Sequence, residues 1–236
     1  MEAGHILITG ANRGIGLELA RQYSSEGWQV LACCRSPENA TDLSRLAVQS
    51  GGGVQIIPLD VSREGAIQRL AQSLQGQPVD ILFNNAGVYG PANQAKLGST
   101  QSDSEEWMRV FVVNTIAPLQ LVEAMKPNLL LGKHKVIALM SSKMASLSDN
   151  ASGGASIYRS SKAALNAVGK SLAVDLAAEG IKVALLHPGW VQTDMGGPNA
   201  LISTQESVAG LRNVLEQLTP EKSGQFFNYD GAVLPW

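Results

Sequence analysis

The chain's pattern predicts a doubly wound parallel α/β sheet of about seven strands, with helices on both faces. Three observations carry that expectation. Short, nearly all-apolar runs alternate with stretches of helical periodicity, as strands buried on both sides of a parallel sheet do. A glycine-rich turn separates the first apolar run from the first helical pattern. No internal repeat, low-complexity tract or Pro/Ser-rich linker divides the 236 residues, so residues 1–236 are expected to form one domain.

Strands are expected at residues 5–9, 28–33, 54–59, 79–83, 135–140, 181–186 and 224–228. Helices are expected at 38–49, 63–74, 105–125 and 205–218, with a further one through Tyr158 and a long loop at 88–102. The first strand leads into Thr9-Gly10-x-x-x-Gly14-x-Gly16, and Leu17, Leu19, Ala20 and Tyr23 follow at helical spacing. Strand, glycine turn and helix in that order form the phosphate-binding start of a nucleotide fold of Rossmann type. The glycines let backbone N–H groups and a helix N-terminus approach a pyrophosphate. The spacing departs from G-x-G-x-x-G, and the strand-before, helix-after context is what gives the turn its weight.

In such a sheet, ligands bind beyond the carboxyl ends of the strands. The glycine turn, Arg35, Asp60, the run from Asn84 through Asn85 and Ala86 to Gly87, Ser141 with Ser142, and Pro188 with Gly189 all fall at those ends. Tyr158 and Lys162, four residues apart, share one face of a helix that follows the fifth strand. An ammonium beside a phenol favours the phenolate and makes the phenol a better acid. Scattered polar residues therefore converge on one crevice.

Composition excludes several alternatives. Hydrophobic residues make up 44% and charged ones 16%, which suits a compact fold. A formal net charge of −2 offers no basic footprint for nucleic acid. Cys33 and Cys34, adjacent on opposite faces of a strand, make no disulfide framework, and the singly scattered His5, His134 and His187 read as structural. No metal is expected. Ser142 lacks a G-x-S-x-G elbow, against a serine hydrolase. An apolar strand within four residues of the start leaves no room for a signal peptide, and no apolar run looks long enough to span a bilayer. A reducing compartment, the cytoplasm, is the expectation, with no membrane partner.

The motifs at Thr9 to Gly16, Asn84 to Gly87, Ser142, Tyr158-x-x-x-Lys162 and Pro188-Gly189 occur in this order and together resemble the short-chain dehydrogenase/reductase family in its single-domain form. The match runs from about Ile6 to Asn228. The ending at 230–236 is similar to the branch holding C-factor-type and sniffer-type carbonyl reductases. The resemblance implies that Tyr158 is the general acid for hydride reduction of an aldehyde or ketone. Lys162 would lower its pKa and bind the nicotinamide ribose. Ser142 would hold the substrate oxygen, and Asn114 would anchor a proton-relay water. Bringing a tyrosine from about 10 to about 7 takes roughly 4 kcal/mol, more than one wet lysine supplies, so a cationic nicotinamide in a dry cleft would have to contribute. Ser142 is chosen over Ser141 on the family pattern, although residues 148–154 resemble an insertion that lengthens the gap to Tyr158.

The resemblance also implies cofactor contacts from Gly10, Asn12, Arg13, Gly14, Ile15, Gly16, Arg35, Asp60, Val61, Asn85, Ala86, Gly87, Tyr158, Lys162, Pro188, Gly189, Val191 and Thr193, with Asp60 at the adenine. The second strand ends at Cys33-Cys34-Arg35-Ser36 with no acid for ribose hydroxyls. Arg35 and Arg13 suit a 2′-phosphate instead, so NADPH is expected. Met144, Tyr89, Trp190 and Met195 are candidate pocket residues under a small lid. A homodimer or homotetramer through the long helices after the fourth and fifth strands is implied, with Ala163, Ala164, Ala167 and Gly169 permitting close contact; burial inside the monomer explains those small residues equally well. The competing reading is an NAD(P)-binding signalling or regulatory protein of the same fold with little or no turnover.

Overall fold

The computed structural model describes residues 1–91 and 104–236; most of the expected 88–102 loop lies outside them. Seven strands form one sheet: β1 (His5–Thr9), β2 (Gln29–Cys34), β3 (Val54–Pro58), β4 (Ile81–Asn84), β5 (Val136–Met140), β6 (Lys182–His187) and β7 (Gln225–Asn228). Their order is β3-β2-β1-β4-β5-β6-β7, and every pair is parallel. The helices are α1 (Gly14–Ser25), α2 (Thr41–Gln49), α3 (Ala66–Ser73), α4 (Ser104–Phe111), α5 (Ala117–Leu131), α6 (Ser156–Asp175) and α7 (Thr204–Glu216). The chain winds outward from β1 to β3, then returns to place β4 on the other side of β1. That reversal opens a crevice at the carboxyl ends of β1 and β4.

Strand alternation explains the two cores. Ile6, Ile8, Ile81, Phe83, Val136 and Ala138 pack with Leu19, Tyr23, Val208 and Leu211 of α1 and α7. Leu7, Leu82, Ile137, Leu139 and Leu185 face the other way, onto Leu70 of α3, Leu121 and Met125 of α5, and Leu165 of α6. Cys33 and Cys34 divide between these cores, both as free thiols.

Several boundaries move from expectation. The third strand stops at Pro58, which has no N–H, and Leu59 passes its N–H to the Cys34 carbonyl at 2.8 Å. Turns at Arg63 and Ala66 delay α3 until after Gly65. The helix expected at 105–125 extends over Ser104–Leu131, broken by a π turn at Val112–Ile116. This helix overturns the expectation about apolar length. By length and composition alone it could cross a bilayer. Val110, Val113, Ala117, Leu121, Met125 and Leu129 are buried, however, and most join the second core, which accounts for the hydropathy. Gly169 also serves the sheet: a Cβ there would lie 2.7 Å from Leu185 and 2.8 Å from Leu139, so its smallness brings α6 onto β5 and β6.

Candidate active site

The glycine turn is locked to β4 from below. Asn85 and Ala86 both donate backbone N–H groups to the Thr9 hydroxyl at 3.0 Å. The Asn85 side-chain amide donates to the carbonyls of Thr9 and Gly10. Asn85 therefore spends its side-chain and backbone N–H donors inside the turn. Gly14 opens α1 with a φ of +54°, and no side chain caps that first helical turn. Gly16 lets turn and helix close: a Cβ there would lie 2.1 Å from the Gly10 carbonyl oxygen. An uncapped helix start behind a tight glycine turn suits an anion. Thr193 faces Gly14 across this groove, its methyl 3.2 Å from where a Gly14 Cβ would be. These residues fit the diphosphate of a dinucleotide.

At the adenosine end, Arg35 is exposed, and its charge with that of Arg63 helps hold the Asp60 carboxyl below its ordinary range. Burial opposes that shift, and bonds from the Ser62 hydroxyl and N–H outweigh it. Val61 follows, partly buried. Arg13 is also exposed but is ion-paired with Asp194, so it spans the groove rather than standing free beside Arg35. Asn12 is partly buried in the turn, and Ile15 reaches the neighbouring cleft.

That cleft, about 540 Å³, opens at the ends of β5 and β6. Tyr158, in the first turn of α6, is buried on its wall and hydrogen-bonded to Ser142. Its ring meets that of Tyr89 at 4.8 Å between centroids. Burial pushes the Tyr158 pKa up to about 12; the Ser142 bond opposes the rise and Tyr89 adds to it. Lys162, one turn on, is buried beneath and donates to the Met140 carbonyl at 2.6 Å. Burial brings its pKa down to about 8.

Lys162 by itself does not acidify Tyr158, so the expected lowering rests on the cationic nicotinamide as well. The ammonium lies 5.9 Å from the ring centroid and satisfies a backbone oxygen, while desolvation of the phenol dominates.

The structure separates the two serines. Ser142 faces the cleft with Tyr158 and accepts from the Met144 N–H at 3.2 Å. The Ser141 hydroxyl donates at 2.6 Å to Asn166 Oδ1, a buried partner on α6. Asn114, in the π turn, uses both its side-chain N–H groups and one lone pair of Oδ1: Oδ1 accepts from Val88 N–H, and Nδ2 donates to the Val88 carbonyl and to Ser161 Oγ. Its side chain clamps the segment after β4 onto α6. Gly87 completes the group, since a Cβ there would lie 3.4 Å from Asn114 Oδ1 and 3.5 Å from Lys162 Nζ.

Pro188 and Gly189 carry the chain past the cleft; the Pro188 carbonyl accepts from Ser207 at 2.6 Å, and Gly189 has a φ of +83°. Val191 pairs with Ile202, and the Thr193 hydroxyl accepts from Gly196 N–H, which folds 190–202 into a small self-braced lid. Met144, Tyr89, Trp190 and Met195 all line the cleft, as anticipated.

The cleft wall also holds His187, which the sequence reading takes as structural, and Arg159, which it does not single out. His187 ends β6, its Nδ1 buried without a partner among the described residues, and burial holds its pKa near 4, so it is neutral. Arg159, next to Tyr158, donates to the carbonyls of Gly154 and Met144 and to Ser152 Oγ. Its adjacency to Tyr158 was the available signal.

A single parallel sheet with order 3-2-1-4-5-6-7, a glycine turn at its switch point, and serine, tyrosine and lysine gathered at the fifth strand's end defines a dinucleotide-dependent oxidoreductase architecture. The chain belongs to the short chain dehydrogenase family, whose model matches residues 4–201. It is 47% identical over 159 residues to the C-signal protein of Myxococcus xanthus, a match covering 67% of this chain and 93% of that one. The NADPH-bound carbonyl reductase from chicken fatty liver superposes with a TM-score of 0.91 at 34% identity, covering all of both chains. The carbonyl reductase Sniffer of D. melanogaster does so with a TM-score of 0.89, also at 34% identity and over all of both chains. The branch indicated by the ending at 230–236 is the one these relatives represent.

Proposed function

We propose that the protein is an NADPH-dependent reductase of aldehyde or ketone carbonyl groups, with Tyr158 as general acid. The observation that carries this reading is the Tyr158 hydroxyl, held by Ser142 on the wall of a cleft that adjoins the glycine-turn groove. NADPH, when bound, supplies the hydride. Tyr158 gives its proton to the carbonyl oxygen, and the Ser142 bond opposes the rise that burial imposes on its pKa. Ser142 donates a second hydrogen bond where negative charge develops. Lys162 anchors the nicotinamide ribose, and Asn114 fixes the backbone beside it and carries the relay water. Gly10 to Gly16 hold the diphosphate, Asp60 and Val61 border the adenine, and Arg35 with Arg13 meets the 2′-phosphate. The absence of an acid at 34–36 and the NADPH in the chicken enzyme support that cofactor.

The assembly is a homo-oligomer built on the long helices after the fourth and fifth strands, α5 and α6; Ile116 of the π turn and Gln120, Glu123, Pro127 and Leu130 of α5 form an exposed stripe at helical spacing. Two free buried thiols suit the cytoplasm.

The test is a fluorescence titration with NADPH and NADH, followed by NADPH oxidation against a carbonyl panel. NADPH binds tighter, and Tyr158→Phe loses turnover while keeping NADPH affinity. Full turnover in that variant would falsify the assignment. The likeness to the C-signal protein favours a second reading, a dinucleotide-binding signalling protein. Tight NADPH binding with no turnover of any carbonyl would support it.

A further inference from the structure

Arg159 is half-buried, and its three hydrogen bonds go to neutral acceptors: the Gly154 carbonyl at 3.1 Å, the Met144 carbonyl at 3.2 Å and Ser152 Oγ at 2.8 Å. A guanidinium has five N–H donors, so one on each terminal nitrogen is left over. No carboxylate pairs with it among the described residues. Charges withdrawn from water are ordinarily paired. The other charged pair on the cleft wall, Lys143 with Asp149 at 3.1 Å, neutralises itself. His187 is neutral. Arg159 is thus the uncompensated cation of the cleft among the described residues, in the position adjoining the general acid.

The same side chain also borders a second cavity of about 270 Å³, walled by Met144, Ala145, Ser146, Leu147 and Gly154. Arg159 and Met144 line both spaces. A substrate whose carbonyl lies at Tyr158 can therefore direct its far end past Arg159.

We propose that Arg159 is an anion subsite, and that the preferred substrates are carbonyl compounds bearing a carboxylate away from the reacting carbon. The planar fork matches a carboxylate's two oxygens as an ammonium does not. The proposal rests on the reductase reading for its carbonyl half; the anion half stands on Arg159 alone.

The probes are 4-carboxybenzaldehyde and its methyl ester, similar in shape but differing in charge, reduced by the full chain at saturating NADPH. The acid is expected to exceed the ester in kcat/KM by about tenfold or more, mainly through KM. In Arg159→Gln the ratio falls to near one. Arg159→Lys keeps part of it, because the charge remains while the fork that ties down the loop is lost. Loss of the loop's bonds alone would slow both substrates and leave the ratio intact, which overturns the proposal, as does a wild-type ratio near one. If neither aldehyde turns over, the carbonyl panel decides the reductase reading and calorimetry decides the subsite. Saturable binding of 4-carboxybenzaldehyde to the NADP-loaded protein, weakened about tenfold by Arg159→Gln, upholds it. Absent or equal binding overturns it.

Discussion

Lys162 donates its Nζ proton to the main-chain carbonyl of Met140 at 2.6 Å, at the last residue of β5. That bond ties α6 to the strand that delivers Ser142, so tyrosine, lysine and serine are held at one edge of the sheet. It also makes Lys162 a buried amine whose charge is opposed by desolvation.

The first prediction concerns pH and stability. The Lys162 pKa is about 8 in the folded chain, against an ordinary 10.5. Between those values the unfolded chain binds more protons than the folded one, so this group makes stability rise with pH from about 8 to about 10.5. Below about 8 the penalty is fully present. Lys162→Met removes the slope, so the variant's Tm advantage should be largest below pH 8 and shrink toward 10.5. Tyr158 acts oppositely, since its folded pKa of about 12 stands above 10.0 and its contribution is lost as pH rises between the two. Thermal melts of both proteins across that range check this; a Tm difference independent of pH contradicts it.

The two serines should differ sharply. Ser142→Ala removes a donor beside the Tyr158 hydroxyl and is expected to lower kcat/KM about 10²- to 10³-fold, mostly in kcat. Ser141→Ala breaks a buried bond to Asn166 and should reduce Tm, leaving the rate within about tenfold. Steady-state kinetics with parallel melts separate them, and equal rate losses would reassign the substrate-binding serine.

Cofactor choice should depend on Arg35 more than on Arg13. Arg35→Ala is expected to weaken NADPH about tenfold or more and NADH little, because only NADPH carries the 2′-phosphate. Arg13→Ala should cost less, since Arg13 is shared with Asp194. Both affinities come from fluorescence titration at two salt concentrations, and the NADPH loss should shrink at high salt.

Gly16→Ala places a methyl 2.1 Å from the Gly10 carbonyl oxygen and 2.7 Å from Asn85 Nδ2. Backbone must move, so the expected loss is about 1–3 kcal/mol of stability, with NADPH affinity falling alongside. Denaturant melts and the same titration measure both, and an unaltered protein would mean the turn is looser than its contacts indicate.

Much of the site could be read along the chain because its parts are local. A glycine turn after an apolar strand, and a tyrosine four residues before a lysine, keep their meaning wherever the helix lands. Asn114 was legible as a residue but not as a clamp, since its partners Val88 and Ser161 are 26 and 47 positions away. The π turn that presents it has no composition signal of its own.

The amino-acid order by itself determined the strand–helix alternation, the parallel sheet and the set of polar residues at its carboxyl edge, because periodicity and turn chemistry act over a few residues. Only the tertiary structure decided which serine faces Tyr158, where the Lys162 proton goes, that Tyr158 is raised rather than lowered, and that Arg159 stands unpaired by any described carboxylate. Those outcomes depend on burial and on partners far apart in the chain, and desolvation is set by everything packed around a group.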